Sequence, residues 1–132
     1  MRIMKALVVG ILLTASSSAF ASPSGSARGE AELAKMLAGR VAGKPVDCIP
    51  QHAIESSEVL EGTAIVYRDG NRLYVNRPAS GAESLDSDDI LLTDTHTPEL
   101  CSVDVVRLID RTSHFERGFV GLGKFVPYVR PN

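Results

Sequence analysis

The sequence predicts an α+β domain: a small, curved, mostly antiparallel sheet or half-open barrel, with one short N-terminal helix and one disulfide. Three observations predict it. Residues 63–77 carry a hairpin signal, two cysteines stand far apart in the chain, and helical apolar spacing is confined to residues 30–37.

The helix comes first. Leu33, Met36 and Leu37 recur at the spacing of one helix face, Glu30 and Glu32 occupy the expected first turn, and Gly39 is placed to end it. After Pro45 the signals become β. Residues 46–49 form an expected strand that Pro50 should end or place on an edge. In residues 63–77 two β-branched and aromatic runs, TAIVYR and NRLYVNR, flank Asp69-Gly70, which predicts a type I′ hairpin. That register pairs Val66 with Leu73 and Ala64 with Val75 on a core face. Ile65, Tyr67, Arg72 and Tyr74 then share an amphipathic, half-exposed face. Residues 84–89 read as one short helical turn capped by Ser84. Residues 90–93 read as a strand, and 101–110 as the strongest one, apolar on both faces and therefore central. Residues 119–129 supply one or two closing strands.

The N-terminus has the parts of a cleavable secretory signal in order. Arg2 and Lys5 give a positive start, residues 6–15 are apolar, and Ala19-Phe20-Ala21 is an A-x-A site with cleavage between Ala21 and Ser22. The apolar run is about half of what a helix needs to cross a bilayer, so no stable membrane anchor is expected after cleavage. The expected organisation is a signal peptide over 1–21, a Ser/Gly-rich flexible tether over 22–29, and one β-rich domain over 30–132. Removing Arg2 and Lys5 takes the formal charge from −2 to −4. A mildly acidic module is a poor match for nucleic acid or an anionic membrane.

Cys48 and Cys101 are the only cysteines. An even pair in a small exported domain reads as a structural disulfide. Bonding would bring their Cα atoms to roughly 4.4–6.8 Å. The alternatives, a redox or metal pair, lack C-x-x-C spacing and further ligands.

The strings Cys48-Ile49, GTAIVY from Gly62, LYVNR from Leu73, LCSVD from Leu100 and GLGKFVP from Gly121 resemble a family of small exported proteobacterial proteins of unknown function. The resemblance spans roughly residues 45–130 and implies that the two cysteines belong to one shared design. It supplies no catalytic residues. Pro50-Gln51-His52 departs from the Leu/Arg-rich sequence expected after C-I.

Several motifs have a bland reading and a chemical one. Gly118 to Lys124 fits G-x-x-x-x-G-K, but Phe125 and Pro127 follow where a phosphate loop needs Ser or Thr and a helix. Glycine-permitted bends between closing strands are the expectation there. Asp86, Asp88, Asp89 and Asp94 lack EF-hand spacing and read as solvated turn carboxylates. His52, His96 and His114 are scattered singly, with no metal-binding or nucleophile-elbow context. Arg68, Arg72 and Arg77 with Tyr67 and Tyr74 read as solvated edge residues. If the hairpin binds anything, the candidate face is Tyr67, Arg72 and Tyr74.

No cofactor and no metal are implied. The expected function is a non-enzymatic periplasmic or secreted module that binds an envelope protein or cell-wall component through its sheet face. Two other readings stand beside it: a small periplasmic hydrolase whose site only the fold assembles, and an inhibitor of a cell-wall lytic enzyme.

Overall fold

The computed structural model of the chain describes residues 25–132. The expected signal segment, its Ala21–Ser22 cleavage site and the first residues of the tether lie outside these residues.

Helix α1 spans Gly25–Leu37 among the described residues, so it already includes the five residues before the start that the apolar spacing predicts. The Gly/Ser composition of 25–29 argues for a tether, and tertiary contacts override it. Thr63 Oγ1 donates to the Ser26 carbonyl at 3.2 Å. Gly29 approaches so closely that a Cβ there would lie 2.6 Å from the Glu61 carbonyl oxygen. Glu30 and Glu32 consequently sit in mid-helix, and Glu30 pairs with Arg77 instead of supporting the first turn. The C-terminus follows expectation, with Gly39 at φ 75° just beyond the helix.

Ten strands follow: β1 (Val41–Ala42), β2 (Cys48–Pro50), β3 (Ser56–Leu60), β4 (Ala64–Asp69), β5 (Arg72–Asn76), β6 (Asp89–Thr93), β7 (Glu99–Cys101), β8 (Val105–Asp110), β9 (Glu116–Gly121) and β10 (Phe125–Val129). They form a five-stranded sheet in the order β1-β10-β5-β4-β3, a three-stranded sheet β6-β8-β9 and a β2-β7 ribbon, all antiparallel and none closed. This is the predicted α+β class.

The hairpin forms between β4 and β5, but its loop is Gly70-Asn71 rather than Asp69-Gly70. Asp69 pairs with Arg72, Tyr67 with Tyr74 and Val66 with Val75. Gly70 takes φ 56° while Asn71 keeps a negative φ, the pattern of a II′ loop with glycine first. Sliding the register by two residues leaves every side chain on its expected face. What changes is the fate of those faces. Ala64, Val66, Leu73 and Val75 pack with Leu60 beneath Leu33 of α1. Ile65, Tyr67 and Tyr74, expected to be half exposed, lie in the larger core with Val106, Leu108, Val120 and Phe125. The second sheet covers them.

Two further expectations are corrected. The strand over 101–110 is two strands, because Asp104 folds the chain back. Its Oδ2 accepts from the Cys101 N–H at 2.7 Å and its own N–H donates to the Cys101 carbonyl at 3.0 Å. The helical turn lies at Ala82–Ser84, entered from Gly81 at φ 78°, and Asp89 already belongs to β6. Strand β8 is central in its sheet, as its two apolar faces predict.

Candidate functional site

The hairpin residues singled out from the sequence do not form an open face. Tyr67 is 4% exposed and Tyr74 is 7% exposed. Tyr67 stacks at a tilt on Phe125, with ring centroids 5.8 Å apart. Arg72 is exposed, donates to the Tyr74 hydroxyl at 3.1 Å and lies over that ring at 5.8 Å. Arg72 and Tyr74 border a cleft of about 310 Å³ with Val46 and Pro127, whereas Tyr67 borders a different one of about 230 Å³ with Leu91 and Leu100. Burial pushes the Tyr67 phenol well above its ordinary pKa, and its hydroxyl has no hydrogen-bond partner among the described residues. The amphipathic pattern was real, but its cover comes from residues far along the chain.

The cysteines are bonded. Cys48 and Cys101 are directly opposite one another on β2 and β7, with Cα atoms 4.0 Å apart, slightly closer than the expected range. The bridge ties the β2-β7 ribbon together and closes a 53-residue separation. Glu99 lies beside the two sulfurs. Oxidised sulfurs are poor metal ligands, so this trio is a staple and a surface carboxylate.

The acidic stretch also resolves. Asp89 is buried and accepts from Arg117 at both oxygens, Nε at 2.9 Å and a terminal nitrogen at 2.7 Å. A β-bulge in β9 between the pairs Leu108–Gly118 and Ile109–Glu116 skips Arg117 and lets it reach across β8. Arg117 also donates to the Ser84 carbonyl at 3.1 Å, so one side chain holds β9, β6 and the turn before it. Asp86 accepts from the Asp88 N–H at 2.9 Å, and Asp88 pairs with Arg111 at 3.3 Å. No calcium cradle forms among the described residues. The Gly118–Lys124 stretch runs along β9 into a bend, with no helix behind it. At the bend Gly123 exchanges two hydrogen bonds with the fully buried Asn76 side chain, at 2.7 and 2.9 Å. His52 lies on a 3-10 turn, His96 on a bend, and His114 on the β8–β9 loop at φ 61°.

The surface that stands out was missed in the sequence. The inner face of β6-β8-β9 gives Leu91, Val106, Leu108 and Val120 to the core. Its outer face is also apolar: Ile90 is 36% exposed, Leu92 41%, Val105 49% and Phe119 62%. Cross-strand pairing puts Arg107 between Leu92 and Phe119, where it pairs with Glu116 at 3.0 Å. Phe115, in the loop leading to β9, is more exposed still. The signal was available in the two-faced apolar pattern of 103–110, which reads equally well as a strand covered on both sides. Contiguous exposed apolar patches are a recurrent feature of interaction surfaces, whereas single exposed apolar residues are ordinary.

Fold and surface together define a small disulfide-bonded α+β domain that, among the described residues, leaves one apolar sheet face exposed. No family model matches the chain, and neither a curated protein nor a solved structure is significantly similar to it.

Proposed function

We propose that this protein is a non-catalytic binding module, exported to an oxidising compartment, that docks an envelope protein through the outer face of β6-β8-β9. The observation that carries the reading is the exposed set Ile90, Leu92, Val105 and Phe119 on a sheet whose other face is already buried. Folding gains nothing from apolar side chains left in water, whereas covering them with a partner removes apolar area from water, a term of about 25 cal/mol for each Å² before the costs of association are subtracted. The Arg107–Glu116 pair within the patch supplies orientation: a partner that covers it must match both charges. Export is supported by the A-x-A start and by the Cys48–Cys101 bond, since such staples persist outside the reducing cytosol.

A photo-crosslinking amino acid placed at position 119, and separately at position 41 on the five-stranded sheet, tests the reading in cells. Crosslinks to one protein from position 119 and none from position 41 are expected. Equal crosslinking from both positions, or none from 119, would overturn it. A crosslink only to a second copy of the chain would replace a partner protein by self-association.

A further inference from the structure

A second surface, which shares Ile90 with the apolar face but does not rest on the docking proposed there, carries a further inference. Strands β3 and β6 each end a sheet, and they are not hydrogen-bonded to one another. They nevertheless border the same groove. Ser57, Glu58 and Val59 of β3 and Asp89, Ile90 and Leu91 of β6 line its larger part, about 410 Å³. Ser57 and Leu91 also line the adjoining cleft of about 230 Å³, whose deepest residues are Tyr67 and Leu100. The groove is the seam at which the two sheets fail to close.

An edge strand directs every second N–H and C=O away from its single neighbour, at the spacing of another strand. Among the described residues β4 is the one strand paired with β3, and Ser56, Ser57 and Glu58 are all exposed. We infer that the β3–β6 groove accepts an extended, basic peptide segment, added as a strand along β3, with an apolar side chain entering the cleft over Tyr67 and Leu100.

Three features select this occupant. Backbone donors and acceptors on a strand edge recognise backbone, which favours a peptide over a compact ligand. Glu58 has no ion-pair partner among the described residues, while Asp89 is held by Arg117 and Arg111 by Asp88. The unanswered charge of the groove is therefore negative. A second copy of the chain is disfavoured, because antiparallel pairing of β3 with itself brings two Glu58 carboxylates together.

The test uses the isotope-labelled mature protein and a capped octapeptide of alternating Val and Lys, compared with the same peptide carrying proline at alternate positions. The expected result is amide exchange slowed at least tenfold within 56–60 and shift changes in 89–93, with no protection of β1 or β9. The proline peptide should do neither. Ser57→Trp, which fills the groove at an exposed position that lines both of its parts, should abolish binding while melting stays unchanged. Glu58→Lys should weaken the Lys peptide about tenfold and let a Glu-containing analogue bind instead. Protection at β9 or β1, equal binding of the proline peptide, full binding by Ser57→Trp with an intact fold, or indifference to the Glu58 reversal would overturn the inference.

Discussion

The two sheets solve the same problem differently. The five-stranded sheet is covered twice, by α1 over Val66, Leu73 and Val75 and by the second sheet over Ile65, Tyr67 and Tyr74. The three-stranded sheet is covered once, and its other face leaves Leu92, Val105 and Phe119 in solvent. Both sheets use the same residue types, so composition does not separate them; what separates them is whether the chain supplies a cover. The doubly covered sheet is the scaffold, and the singly covered one presents the apolar face on which the proposed docking rests.

That contrast predicts a hierarchy of stability effects. Phe125 is fully buried and touches the Tyr67 ring, so Phe125→Ala should cost about 3–5 kcal/mol, measured by urea denaturation. A loss below about 1 kcal/mol would mean that the inter-sheet core is not packed as described. Next comes the staple: Cys48→Ser and Cys101→Ser should each cost on the order of 2–5 kcal/mol, and the double substitution little more than either. Free thiols on the oxidised protein, detected by alkylation before reduction, would remove that account.

Smaller effects sharpen the comparison at the helix side. Arg77 holds the Glu30 carboxyl below its ordinary value of 4.5, chiefly through its hydrogen bond, and the pair clamps α1 to the end of β5. A carboxyl depressed in the folded state contributes above its unfolded pKa, and the contribution disappears as the pH falls through the folded value. Both side chains are half exposed, so Glu30→Gln should cost at most about 1 kcal/mol at pH 7. The difference from the parent protein should be gone at strongly acidic pH. Smallest of all is Tyr67→Phe. Removing a buried hydroxyl with no partner should leave stability within about 0.5 kcal/mol of the parent, or raise it. A loss above about 1 kcal/mol would reveal a partner for that hydroxyl.

Local chemistry was legible in the sequence wherever local chemistry decides the structure. The 63–77 hairpin, the terminating Gly39 and the face of α1 that carries Leu33 all follow from nearest-neighbour patterns. The loop position within the hairpin did not follow, since Asp69-Gly70 and Gly70-Asn71 are both good turns and a two-residue slide preserves the faces. The start of α1 was hidden because Thr63 and Glu61, distant in sequence, secure a stretch whose composition argues for a tether. The candidate face of Tyr67, Arg72 and Tyr74 was misplaced for the same reason: an alternating strand does not reveal what lies over it. Asp89 looked solvated because its partner, Arg117, is brought to it by a bulge two strands away.

The most direct measurement is retention of the proposed envelope partner, the protein crosslinked from position 119, by a Leu92→Ser, Phe119→Ser double variant, with thermal melting followed on the same sample. Both side chains are exposed on the outer face and neither belongs to the core, so melting should stay within a few degrees of the parent. Partner retention should fall at least tenfold. Full retention by a double variant that melts like the parent would contradict the assignment of this sheet as the docking face.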